Sequence, residues 1–305
     1  MKNLNNRGWQ FVGLTMLLSC IPYYFIITQK AIDSNWTLAL MWMPALAGVI
    51  MRLLSGEGLF KGLTWNPLKA WKFILLAAFL PFTIEILSLL ATLGMNGAEL
   101  NEGWLEIKEG HISVGGTALL FGAGLQPWYV FFPNYLLSYF SGVLFYSLLF
   151  AFGEEYGWRG YLQKQWAPSN SRFSGFVAIG LIWGLWHLPG VLLGHNFPDY
   201  KLIGGLLLMP LICVAFSIAF GTAFNKNYVI WVPAVFHGAV NISSEVTAIA
   251  LVEESIHNPL YDSIWIGLWM LTGVSFYLKY IRKSKAKITK EKRAQSSGEW
   301  LGKAS

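Results

Sequence analysis

Apolar runs long enough to cross a lipid bilayer recur along this chain, and nothing else in it limits the fold as strongly. A spanning helix needs about 20 mostly apolar residues, because backbone groups in hydrocarbon must bond within their own segment. Such runs lie at roughly 9–28, 36–54, 71–94, 133–156, 173–194, 202–223, 229–251 and 262–281. Only 12% of the residues are charged, about half the share usual in a soluble chain. The sequence predicts an all-α fold: a polytopic membrane helix bundle of about eight transmembrane helices. The first run follows the short basic stretch Met1–Arg7. It is too long for a signal-peptide core and lacks a small-x-small cleavage site, so it reads as a retained span.

Loop charge orients the bundle. Arg52, Lys61, Lys69 and Lys72 follow the second run, Arg159, Lys164 and Arg172 the fourth, Lys226 the sixth, and Arg282, Lys283, Lys285 and Lys287 the eighth. All fall on one side. The other side carries Glu99, Glu102, Glu106, Glu109, Glu253, Glu254 and Asp262, with Lys30, Lys108 and Lys201 against the trend. The positive-inside rule puts both termini in the cytoplasm, which an even number of spans also requires. Membrane orientation accounts for the net charge of +6, so no nucleic-acid partner is expected. Cys20 and Cys213 both lie in apolar runs and form no disulfide framework or zinc-knuckle spacing. Residues 100–132 read as an outer-surface piece with an interfacial segment at 118–132. The tail after Arg282 reads as frayed.

Three polar islands interrupt the apolar runs, and ionisable groups at membrane depth are costly and usually functional. The first is Gly153-Glu154-Glu155-Tyr156-Gly157-Trp158-Arg159. On a helix Glu155 and Arg159 are i and i+4 with the acid first, the favourable order for an ion pair. Glu154 points about 100° away, which leaves it free to act as a general base. The second is Trp183-x-x-x-His187, with Pro189 two residues on to free a backbone carbonyl and kink the helix. The third is His237-x-x-x-Asn241, one turn apart on one face, with small Gly238 and Ala239 beside it. An Asn side chain there can donate to a developing oxyanion. Taken singly, each island has a plain alternative: a solvated interfacial Glu pair, a His bonding between helices, polar glue between helices. Three together point to water activation inside a membrane protein.

Glu85, with Ser88 on the same face, is either paired inside the bundle or an acid near the outer interface; Glu245 is a further buried-acid candidate. His111, His195 and His257 read as solvated. No HExxH, GxSxG, Walker or dinucleotide-binding pattern is present.

At these residues the chain resembles the CPBP family (CAAX-prenyl-protease and bacteriocin-processing, or Abi) of intramembrane glutamic endopeptidases. Glu154-Glu155-x-x-x-Arg159 is similar to its first motif. Trp183-x-x-x-His187 is similar to the second, where Phe is the commoner aromatic, and His237-x-x-x-Asn241 to the last. The resemblance covers roughly 134–250. It implies an eight-helix-like bundle with a conical cavity opening toward the cytoplasm and peptide-bond hydrolysis by a Glu-activated water. By position, Glu154 is implied as general base, His187 as holding or polarising the water, and His237 and Asn241 as stabilising the oxyanion. Glu155 and Arg159 would support the site. A zinc set of Glu154, His187 and His237 is possible, but no metal is favoured, because a free base is still needed and the His residues come from separate helices. The expected organisation is helices one to three with an outer loop (1–132), a catalytic core (133–281) and a basic cytoplasmic tail (282–305). The expected partners are the lipid bilayer and a hydrophobic or membrane-bound peptide, and the expected location is the plasma membrane. Two other classes fit the same residues: a proton-coupled transporter using them as a relay, and a non-catalytic membrane scaffold or immunity protein.

Overall fold

A computed structural model describes residues 5–32, 34–117, 119–168, 173–252, 255 and 258–296. His257, Glu253, Glu254 and Arg172 lie outside the described residues. The chain is an all-α polytopic helix bundle. Its helices are α1 (Asn6–Gln29), α2 (Asn35–Leu54), α3 (Trp71–Gly94) and α4 (Trp128–Trp166), then α5 (Phe173–Trp186), α6 (Leu188–Leu192), α7 (Lys201–Asn227), α8 (Trp231–Ala250) and α9 (Pro259–Ser296). Six of these are long and apolar enough to cross a membrane. Helix α8 falls short on hydropathy because His237, Asn241 and Glu245 dilute it.

The boundaries depart from the sequence reading where polar groups find partners. Helix α4 begins at Trp128 and runs on past Gly157 to Trp166, through Arg159 and Lys164, which the charge pattern alone assigns to a loop. Arg159 is fully buried and ion-paired, so it sits inside the bundle. The fifth run is broken: α5 ends at Trp186, His187 caps the next turn, and Pro189 stands at the start of α6. Strands β1 (Leu105–Lys108), β2 (His111–Val114) and β3 (Gln126–Pro127) pair as an antiparallel sheet, and β3 leads directly into α4 at Trp128. The backbone of α9 stays helical through Ser296, where a frayed tail had been expected.

The start of α1 and Tyr277 of α9 lie at one end of the bundle. Asn5 bonds to Gln165 at the close of α4, Arg7 pairs with Glu57, and Tyr277 of α9 packs on Phe173 at the start of α5. The loops carrying Lys61, Lys69 and Lys226 lie at this same end, called the basic end below. The core is strongly aromatic, with Trp158, Trp166, Trp183 and Trp269 almost fully buried.

Candidate active site

Glycine sets the position of the Glu pair. A Cβ on Gly157 would stand 2.5 Å from backbone and side-chain atoms of Pro44 on α2. One on Gly153 would stand 2.7 Å from the Met41 carbonyl. This Gly-x-x-x-Gly face lets the α2 and α4 backbones touch, as small residues do between membrane helices. Glu154 and Glu155 are thereby turned toward the interior. Wide π-type turns flank this stretch, at Ser147–Ala151 and Trp158–Leu162. Single π-turns inside helices are frequent at functional sites.

The two carboxylates have different partners. Glu155 Oε1 accepts from Arg159 at 2.9 Å and from His237 Nδ1 at 3.0 Å, and both Glu155 and Arg159 are fully buried. Glu154 Oε2 instead accepts from the Trp183 indole N–H at 2.6 Å. Trp183 also lies under the Arg159 guanidinium, 4.2 Å from ring centroid to Cζ, and meets His237 edge-on with centroids 5.4 Å apart. The sequence reading treated Trp183 only as an aromatic motif position. Its Trp-for-Phe departure was the available signal, since only indole supplies an N–H.

Each histidine is oriented by its Nδ1. His187 Nδ1 lies 2.8 Å from the Trp183 carbonyl, and a carbonyl can only accept. A neutral His187 therefore carries its proton there and presents Nε2 as an acceptor. His237 Nδ1 faces the ion-paired Glu155, so its Nε2 is also the free nitrogen. Gly238, beside it, lets α8 close on α4: a Cβ there would sit 2.3 Å from Ser147 Oγ.

Glu154, His187, His237 and Asn241 line one cavity of about 700 Å³. Glu155 and Arg159 stand behind its wall. Glu85 lines the cavity as well. It is buried in the bundle and accepts from Tyr261 Oη at 2.5 Å and Trp265 Nε1 at 2.8 Å, which decides between its two readings. Glu245 is exposed, not buried, and lines the cavity one turn beyond Asn241. His195, read as solvated, is half-buried on the same lining, whereas His111 is exposed. Cys213 is buried against the cavity and Cys20 is exposed.

Among the described residues no group of three His, Cys, Asp or Glu side chains is arranged to hold a metal ion. Of the zinc set weighed from the sequence, Glu154 bonds Trp183, and the two histidines are bonded through Nδ1, to the Trp183 carbonyl and to Glu155, an arrangement that metal-ligating histidines also adopt.

The cavity extends away from the basic end. Its lining runs from Glu154, Trp183 and His237 to Asn35, Asn196 and Asp262, in or beside the loops opposite the basic end. Helix α1 starts at the basic end, and the cavity lining reaches the opposite one. The physical reason is a plug. Trp158, Arg159, Leu162 and Gln163 are fully buried between the Glu pair and the basic end. Gln163 Nε2 donates to Gly221 O and Asn225 Oδ1, both at 2.9 Å, and Asn225 Nδ2 donates to Ala167 O at 3.1 Å.

A membrane helix bundle with a carboxylate, two histidines and an asparagine around one internal cavity defines the class. Residues 136–243 match the Rce1-like family, described as type II CAAX prenyl endopeptidase Rce1-like. A CAAX prenyl protease 2 from Methanococcus maripaludis is 29% identical over 116 residues, which covers 36% of this chain and 42% of that protein. The chain thus spans less than half the length of that relative. The segment 136–243 carries all three motifs, and it is through this segment that the chain is similar to CAAX-protease-like membrane proteins.

Proposed function

We propose that the chain is a multi-pass endopeptidase of the plasma membrane that hydrolyses a hydrophobic or membrane-anchored peptide. The observation that carries this reading is the convergence of Glu154, His187, His237 and Asn241 on one cavity, with Glu155 and Arg159 paired behind it. In this reading Trp183 fixes Oε2 of Glu154, and the other oxygen takes a proton from water. The resulting hydroxide attacks the scissile carbonyl while His187 Nε2 holds it in place. Asn241 Nδ2 donates to the oxyanion, as does His237 from Nε2 when its ring carries both protons. The proton on Glu154 passes to the departing amine, so each turnover returns the carboxylate to its starting form. No step is routed through a metal. The core at 133–281 supplies these groups, α2 braces the Glu pair, and α3 adds Glu85 to the cavity wall.

The reading is tested with purified protein in detergent and a panel of internally quenched hydrophobic peptides in water enriched in oxygen-18. Turnover that places one heavy oxygen in the new carboxyl terminus supports it. A folded protein that moves protons or solutes across vesicles and cleaves no peptide would replace it with the transporter reading.

A further inference from the structure

The cavity runs from the reactive groups to the end of the bundle opposite the basic loops. From His237 to Ala250, α8 rises about 20 Å at 1.5 Å per residue. From Trp231 to His237 it rises only about 9 Å. The reactive groups are therefore nearer the basic end, yet they are sealed from it by Trp158, Arg159 and Gln163, all almost fully buried. The path from them runs the long way, between Tyr23 of α1 and Trp265 of α9, past Glu85, to Asn35 and Asn196. The Lys and Arg bias of short loops sets membrane orientation. Lys61, Lys69, Lys72 and Lys226 lie at the sealed end, and only Lys30, Lys108 and Lys201 lie at the open one.

We propose that this site is served from the non-cytoplasmic face of the membrane. Its substrate is then a peptide segment already on that face: an exported peptide, or the outer flank of a membrane-inserted segment. This rests on the reading of the cavity as the reactive site. It departs from the cytoplasmic opening that the family resemblance implies, and the reason is in this chain's own loops and plug. It narrows the substrate class, because a peptide held in the cytoplasm would meet the plug and not the mouth.

The test is thiol labelling in intact cells, which does not depend on catalysis. Cys20 is replaced by Ser and Cys213, which lines the cavity, by Ala, so that the background protein carries no thiol. Single cysteines are placed at the mouth (Asn35→Cys), on the cavity wall (Ala248→Cys) and in the basic loop (Phe60→Cys, at a site 57% exposed). Glu85, Glu154, Glu245 and Asp262 line the cavity, so the reagent is a small, cationic, membrane-impermeant methanethiosulfonate. Asn35→Cys and Ala248→Cys are expected to react in intact cells at the rate seen after permeabilisation, and Phe60→Cys only after it. The reverse pattern overturns the orientation. Labelling of Asn35→Cys from outside with Ala248→Cys protected overturns access through this mouth. If labelling follows the proposal while no peptide is cleaved, the access route stands and the protease reading falls.

Discussion

Replacing Glu155 and Arg159 one at a time and then together tests how the site is held. Both side chains have zero exposure and are joined at 2.9 Å, and Glu155 Oε1 also receives His237. Glu155→Leu leaves a buried guanidinium without its carboxylate, and Arg159→Met leaves a buried carboxylate without its guanidinium. Breaking a buried pair from one side costs about 3–5 kcal/mol. Replacing both partners with apolar groups of similar volume is often neutral. What then remains is His237 Nδ1 without an acceptor, at about 1–3 kcal/mol. The double variant should therefore be more stable than either single one. The coupling energy should be at least about 3 kcal/mol, far above the ~0.5 kcal/mol at which independent sites add. Reversible unfolding in mixed micelles measures all four corners of the cycle. The double variant should fold and still lose cleavage, because His237 has lost the group that orients it. Additive destabilisation would refute the claim that this is a buried, mutually dependent pair, and full activity in the double variant would refute its supporting role.

Trp183→Phe keeps a ring beneath Arg159 but removes the N–H to Glu154. A hydrogen bond to a charged group is worth about 1.5–3 kcal/mol, so kcat should fall at least about tenfold with the fold intact, read from peptide turnover. Gly157→Ala puts a methyl group 2.5 Å from Pro44 atoms on α2. The resulting overpacking should cost about 1–3 kcal/mol in unfolding free energy, with cleavage falling as the Glu pair shifts. Tyr261→Phe removes the hydroxyl that donates to buried Glu85. It should destabilise the protein by about 1.5–3 kcal/mol in the same micelle assay. Incubation with a strong zinc chelator should leave peptide turnover unchanged, and loss restored by added zinc would contradict a metal-free mechanism.

Much of this arrangement is legible in the sequence where spacing alone decides it. The i to i+4 relation of Glu155 and Arg159 already separates the pair's two roles, and the apolar runs define the bundle. What escapes is what depends on partners across helices. Hydropathy counts Arg159 as a charge to be kept in a loop, but a charge matched by Glu155 is carried inside, so α4 runs on to Trp166. Spacing says that His237 lies on a polar face, not that it turns to Glu155 in preference to Glu154. The Trp183 N–H is invisible to a pattern that scores the position as aromatic. Loop charge sets orientation, whereas the plug of Trp158, Arg159 and Gln163 that closes the basic end forms only in three dimensions.

The central claim is that Glu154 is the base that activates water. Glu154→Gln keeps the size of the side chain and an oxygen for the Trp183 N–H, and removes the charged carboxylate. The decisive measurement is kcat for peptide cleavage by this variant, with its unfolding transition recorded alongside. The account predicts a folded protein whose cleavage is lost by a factor of about 10²–10⁴, the usual contribution of a general base. A folded Glu154→Gln protein that turns over at the unsubstituted rate would contradict it.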